Sequence, residues 1–404
     1  MNEDVVVVSA VRTPFGKFCG TLRETPTYEL GAFVMDKALE SAGIPKDQVD
    51  EVFMGCAIHA ENDDFISPCV ARQSLLKAGL PAQTKSVTLD KACCSSMTAT
   101  HLGYNAIRWG ESQIVVVAGA ENFSRVPFII RPNVRLGQGP RLGHIQVRDP
   151  MIGMGYKDFN PVAVDGGQGA LNHSVTREDQ DLWAFMSQQR YEEARKGGKF
   201  RDEIVPIPVT LGKEEILFEA DEFPKPYTTL EKLAQLSTVY GSPTVTAGNA
   251  PGLNDGASCM VLMGMKKAQE MKITPLARIM ETGSVCDLPN NITIVPAQVI
   301  DQILEKAGLG IDEVDLLEIN EAFAAMPVTC AKILSRGDSA LEERIRRKLN
   351  VNGGAIAIGH PLGASAVRIT LTLIYELRRR GGGKGIAAIC GGLAQGEGVL
   401  VESL

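Results

Sequence analysis

Four side chains in this sequence place a nucleophile, a base and an amide where the chain turns: Cys93, Asn320, His360 and Cys390. Cys93 lies in Leu89-Asp90-Lys91-Ala92-Cys93-Cys94-Ser95-Ser96-Met97, which runs on to Trp109-Gly110. From Ala92 to Ile107 there is no formally charged residue; Ala99, Leu102 and Ala106 share one helical face, and Met97, His101 and Tyr104 another. A helix that is apolar or small all round is a buried one, so Cys93 is expected at the start of a buried helix. Peptide N–H groups and the positive end of the helix dipole converge there. Such a site favours thiolate over thiol and lowers a cysteine pKa from about 8.5. Cys94 is the rival nucleophile by adjacency, and the plainer reading of either is a small buried hydrophobe.

The other three lie far along the chain. Asn320, in Ile319-Asn320-Glu321-Ala322-Phe323, follows an expected strand over Val314 to Ile319, at the carboxyl end where open α/β sheets bind ligands. His360 closes the flexible run Asn352-Gly353-Gly354-Ala355-Ile356-Ala357-Ile358-Gly359-His360 and is the one histidine of five set in a glycine-rich turn before a helix. Cys390 ends a strand in Ile389-Cys390-Gly391-Gly392-Leu393-Ala394, where glycines leave a thiol bare. Singly these read as a capping Asn, a turn His and a strand-end Cys; the ordered set of four is what points to chemistry.

The elements that must position them alternate. Strands are expected over Val5 to Val8, Val49 to Cys56, Ser86 to Leu89 and Ile114 to Ala118, with helices over Tyr28 to Ala42, closing at Gly43, and Ser67 to Ala78, closing at Gly79. That is an α/β layered fold. The second half repeats the first: Ala42-Gly43-Ile44-Pro45-Lys46-Asp47-Gln48-Val49-Asp50 resembles Ala307-Gly308-Leu309-Gly310-Ile311-Asp312-Glu313-Val314-Asp315 at an offset of 265 residues. A similar offset carries Cys93 close to His360, whose helix runs to Arg380, and Ile114–118 to Ile386–390. Two similar α/β halves, each offering a helix start to one site, are the expectation. The residue ranges read as 1–120 for the N-terminal half, completed by 246–274, a loop domain over 121–245, and 275–404 for the C-terminal half. Within the loop region, 122–148 carries Arg125, Arg131, Arg135, Arg141 and Arg148 and no acid. This basic stretch fits either ligand phosphates or a surface or subunit contact.

Composition narrows the function. A chain of 404 residues with 44% apolar content holds a sizeable core, and a net charge of −7 disfavours nucleic acid and anionic membrane surfaces. No apolar run reaches the ~20 residues of a membrane span, and the acidic N-terminus is unlike a secretory signal. The nine scattered cysteines show no zinc-ligand spacing, so neither a metal nor a redox cofactor is expected, and a reducing cytoplasm is the simplest location.

These residues resemble the thiolase family over nearly the whole chain. The resemblance starts at Ser9-Ala10-Val11-Arg12-Thr13-Pro14-Phe15-Gly16 and runs through the Cys93 stretch and Thr246-Ala247-Gly248-Asn249-Ala250-Pro251-Gly252-Leu253-Asn254-Asp255-Gly256-Ala257. It ends with the family's strongest marks: Asn320-Glu321-Ala322-Phe323-Ala324, Gly359-His360-Pro361-Leu362-Gly363-Ala364-Ser365 and Cys390-Gly391-Gly392. The resemblance implies a thiolase fold and an acyltransferase that joins or splits a 3-oxoacyl-CoA and acetyl-CoA. Cys93 would take the acyl group as a thioester, His360 would draw its proton, and Cys390 would exchange a proton with the α-carbon of acetyl-CoA. Asn320 would hold a water that with His360 stabilises the enolate oxygen, and the amides of Cys93 and Gly392 would form the other oxyanion hole. Ala247, Pro251, Gly252, Phe323 and Gly392 would contact substrate. CoA would be a substrate with no cofactor besides, and the chain a homodimer or dimer of dimers, with a small accessory subunit compatible.

Departures from the family pattern bear on the substrate. Ser96 stands for the usual glycine, Asp90 for asparagine, Pro251 for serine and Leu393 for a third glycine. Val162-Ala163-Val164-Asp165-Gly166-Gly167-Gln168-Gly169 replaces the family's acyl-pocket segment. These changes imply a bulky or branched acyl group, such as that of benzoylsuccinyl-CoA in anaerobic aromatic degradation. An ordinary acetyl-CoA C-acetyltransferase, an irreversible condensing enzyme and a non-catalytic acyl-CoA- or partner-binding protein are the alternatives.

Overall fold

The computed structural model describes residues 3–58, 61–62, 65–66, 68–130, 133–152 and 156–404. Arg131 and Ser67, named above, lie outside the described residues.

The chain begins with β1 (Val5–Arg12), whose four consecutive valines make it buried along its full length, as a strand covered on both faces must be. Then come α1 (Thr27–Ala42), β2 (Glu51–Gly55), α2 (Val70–Lys77), β3 (Lys85–Leu89), α3 (Ser95–Arg108) and β4 (Ile114–Glu121). After the loop region, which carries α4 (Val162–Asn172) and α5 (Arg177–Lys196), come β5 (Asn254–Gly264), β6 (Ala277–Cys286), α6 (Val295–Ala307) and β7 (Leu316–Ile319). The chain ends with α7 (Ala325–Leu334), α8 (Leu362–Arg379), β8 (Gly383–Gly391) and β9 (Gln395–Ser403).

Strand order is β3-β2-β4-β5-β1-β6-β9-β8-β7. β2 is parallel to β3 and β4, and β7 is parallel to β8; the remaining neighbours are antiparallel. The internal repeat is visible in this order. The run β2-β4-β5-β1 corresponds to β7-β8-β9-β6, and a parallel bridge from Leu317 to Leu349 stands where β3 flanks β2. α1 and α6 end alike, on Gly43 and Gly308 at φ 65 and 66, left-handed positions that glycine occupies without cost. The two halves are not separate sheets, however. Val5–Val7 of β1 pair with Ala277–Ile279 of β6, so one hydrogen-bonded path crosses both.

α3 and α8 pack against each other and against strands of both halves. Met97, Ala99, Ile369 and Leu373 meet Val5, Val7, Val117 and Ile389 in this central core. α1 and α2 cover the outer face of one half and α6 and α7 that of the other. α2 begins at Val70. The layering brings the carboxyl ends of β3, β4, β7 and β8 and the start of α8 to one place.

Candidate active site

The turn from β3 into α3 is held by short-range bonds. Ser95 Oγ accepts from Lys91 N–H at 2.8 Å and donates to the Ala92 carbonyl at 2.6 Å, and Asp90 accepts from Ala92 N–H at 3.0 Å. Ala92 adopts φ 49, a left-handed conformation costly for any residue with a Cβ. These bonds delay the helix until Ser95, so Cys93 sits two residues ahead of it rather than at its first residue. The turn also separates the two cysteines. Cys93 opens on a cavity, whereas Cys94 is fully buried with its Sγ against the carbonyls of Ile389 and Gln395 at 3.6 and 3.7 Å.

His360 Nε2 lies 3.2 Å from Cys93 Sγ. Its other nitrogen, Nδ1, is 2.6 Å from Ser365 Oγ, and that hydroxyl donates its proton to the Pro361 carbonyl at 2.8 Å. The Ser365 oxygen can then only accept, so the proton belongs on Nδ1 and Nε2 carries the lone pair. Asn320 Nδ2 stands 3.4 Å from Nε2, and its Oδ1 accepts from the fully buried Arg368 at 3.4 Å. The Arg368 donor fixes which way the amide faces. Asn254 holds the backbone, accepting from His360 N–H at 3.0 Å and donating to the Gly16 carbonyl at 3.0 Å.

Charge states follow from burial. Burial pushes the Cys93 thiol well up, the neighbouring Cys390 adds to it, and the N–H groups of Cys93 and Gly392 pull the other way. The dipole expectation of a resting thiolate is thereby corrected: desolvation wins over the amides. Burial, with Arg368 beside it, takes His360 down to about 3. Burial, with Cys330 beside it, pushes Cys390 up to about 12. The resting pair is thiol and neutral imidazole, with S–H donating to Nε2, and two amides already converge on the sulfur.

Glu121, at the end of β4, ties this corner together. Fully buried, it accepts from Ala57, Ile58 and Gly363 N–H at 3.0, 2.9 and 2.9 Å. Burial lifts it to about 7 against the pull of those three donors.

The cavity has a volume of about 360 Å³ and brings together Cys93, His360, Cys390 and Gly392 with Ala247, Pro251, Gly252 and Phe323. Asn320 reaches the site from behind His360 and does not line it. Sequence reasoning missed the aromatic wall: Phe123, Tyr156, Phe223 and Tyr240 also line the cavity. No sequence signal marks them, since they come from irregular stretches between the regular elements. Val162 and Ala163 of α4 complete the wall, and Gly166 packs on Phe323, where a Cβ would lie 2.7 Å from the ring. Lys225, exposed at the rim with its ammonium 4.7 Å from the Phe223 ring, is the one lysine or arginine in the lining among the described residues. Arg125, Arg135, Arg141 and Arg148 do not line it; their segment exposes Phe128, Leu136, Leu142 and Ile145 instead. Among the described residues, no cluster of three His, Cys, Asp or Glu side chains could hold a metal ion, and no helix is long and apolar enough to cross a membrane.

Such an arrangement can take an acyl group onto sulfur, and chains of known family are built the same way. Residues 5–266 match the model of the thiolase N-terminal domain and residues 273–403 that of the C-terminal domain. An acetyl-CoA acetyltransferase of Pseudomonas aeruginosa is 42% identical over 399 residues, covering 98% of each chain. A beta-ketoadipyl-CoA thiolase of the same organism is 37% identical over 409 residues, covering 100% of each. The crystal structure of human mitochondrial 3-ketoacyl-CoA thiolase in complex with CoA superimposes with a TM-score of 0.88 at 35% identity, covering 100% of this chain and 98% of that one. The chain has the thiolase fold, belongs to the thiolase family and is an acyltransferase.

Proposed function

We propose that the chain forms or splits a 3-oxoacyl-CoA through a thioester on Cys93, with an acyl group bulkier than acetyl. The 3.2 Å contact between Cys93 Sγ and the unprotonated Nε2 of His360 carries this reading. As sulfur attacks the thioester carbonyl, its proton passes to Nε2, and the departing CoA sulfur takes it back. The amides of Cys93 and Gly392, already directed at the sulfur, receive the oxyanion; losing one such donor costs about 10² in rate. Cys390, a thiol until a base takes its proton, serves the α-carbon of acetyl-CoA in the second half-reaction. Asn320, oriented by Arg368, supports the enolate side with His360. Lys225 at the rim offers a positive charge to the phosphates of CoA.

Bulk is supported by the apolar wall, where Val162 and Ala163 leave room facing Phe323 and Ile292; an aryl group such as that of benzoylsuccinyl-CoA suits such surfaces. CoA-dependent cleavage of acetoacetyl-CoA and of branched or aryl 3-oxoacyl-CoAs tests this. Greater or equal kcat/KM on acetoacetyl-CoA would favour the second reading, an ordinary acetyl-CoA C-acetyltransferase, which the name of the 42%-identical relative supports. Mass spectrometry after incubation with acyl-CoA tests the chemistry: a thioester on Cys93, absent in Cys93→Ala, is expected. Its absence with every acyl-CoA would leave a binding protein without catalysis.

The ranges 1–120 with 246–274, 121–245 and 275–404 describe the units of this reading, supported by the repeated strand order. β3 is a free edge of the sheet with Val87 39% exposed; an edge of that kind suits pairing with a second copy, and a homo-oligomer in the cytoplasm is part of the proposal.

A further inference from the structure

The Tyr156 ring lines the cavity, and its hydroxyl stands over Gly392: a Cβ built on that glycine would lie 2.1 Å from the phenol oxygen. The hydroxyl therefore occupies space that exists only because position 392 has no side chain. Among the described residues it has no hydrogen-bond partner, and the residue is 38% exposed. Burial raises its pKa, with Cys93 and Asp90 adding to the effect, so it is a donor at any ordinary pH. Phe123, Val162, Ala163 and Leu362, which line the same cavity, are apolar.

We infer that Tyr156 is a specificity-determining residue, whose O–H donates to a neutral oxygen, hydroxyl or carbonyl, on the acyl chain carried by Cys93. The inference rests on the proposed thioester and, among bulky acyl groups, favours a chain with a second, neutral oxygen over a plain benzoyl group. The thioester oxygen has two lone pairs, and the amides of Cys93 and Gly392 take both, which leaves the phenol for an acceptor further along the chain. Among the described residues that line the cavity, Lys225, exposed and over the Phe223 ring, is the one lysine or arginine that could offset a carboxylate. A neutral oxygen is the acceptor such a wall accommodates. In the acylation itself the sulfur–carbon bond to Cys93 forms, the carbon–sulfur bond to CoA breaks, and the Cys93 proton travels through His360 Nε2 to CoA. Tyr156 neither gives nor takes a proton.

The test measures thioester formation on Cys93 by mass spectrometry, with butanoyl-CoA and 3-hydroxybutanoyl-CoA as probes, in the full chain and in Tyr156→Phe. These acyl groups differ by one hydroxyl, so their rate ratio is an internal control for folding. The full chain is expected to favour the hydroxylated group by about tenfold, the size of one neutral hydrogen bond, and Tyr156→Phe to bring the ratio close to one. A ratio near one in the full chain, a ratio unchanged in Tyr156→Phe, or equal slowing of both acyl groups overturns the inference while leaving the thioester reading intact. No thioester with either probe overturns both.

Discussion

Ser365 Oγ lies 2.6 Å from His360 Nδ1 while its own proton goes to the Pro361 carbonyl. One hydroxyl, five residues along the same chain, thus decides which imidazole nitrogen is basic. Ser365→Ala frees the ring to carry its proton on either nitrogen. Acylation of Cys93 should slow about tenfold, the scale of one lost hydrogen bond, while KM for acyl-CoA stays within twofold. Unaltered acylation would show that the tautomer is set elsewhere.

With His360 held near 3 in the folded chain against about 6.5 unfolded, the unfolded state binds more protons between those values. Stability from keeping the imidazole neutral is complete above about pH 6.5 and is lost as pH falls toward 3. For activity the same shift means no histidine step near neutrality: acylation rates should stay level from pH 7 down to about 5. Because the Cys93 thiol is raised rather than lowered, its alkylation by iodoacetamide should keep climbing with pH beyond about 9. A plateau from about pH 5 upward would mean a resting thiolate–imidazolium pair instead.

Cys94 faces the carbonyls of Ile389 and Gln395, away from the cavity. Cys94→Ala should form the Cys93 thioester at close to the full rate and lose about 1–2 kcal/mol of stability from the small void. Loss of the adduct with folding intact would return Cys94 to candidacy as the nucleophile.

Leu393 and Ala394 follow Gly392 in the tight turn between β8 and β9, at φ 62 and 56. Left-handed backbone of that kind favours glycine, and a side chain there costs about 1 kcal/mol. Leu393→Gly should raise stability by about 1 kcal/mol in a denaturant titration. A lower midpoint would show that packing of the half-buried leucine outweighs the strain.

The motifs that mark the site were legible because each is local: a glycine-rich turn before His360, a strand end at Cys390, an apolar helix after Cys93. The layered α/β plan followed from the alternation of strands and helices, and its duplication from the repeat, since Gly43 and Gly308 punctuate equivalent helices. The sequence could not show the charge on Cys93, because a helix tip is visible in one segment while desolvation is the sum of every neighbour. Arg368 behind Asn320 and Glu121 beneath Gly363 were equally hidden, being set by contacts 48 and 242 residues apart. Tyr156 lies in a region with no periodic pattern, and nothing in its surroundings announces the cavity. The pairing of β1 with β6 escaped notice because a buried valine run does not name its neighbours.

That pairing bears on how the protein comes into being. β1 leaves the ribosome well before both strands that flank it in the finished sheet, Asn254–Gly264 and Ala277–Cys286. Val5–Val8 must therefore wait, unpaired and sticky, until the chain has been synthesised past Asn254–Gly264. Closing so long a loop is slow, and an apolar strand exposed meanwhile is prone to aggregation, so yield on expression should hinge on chaperone capacity more than on the stability finally reached.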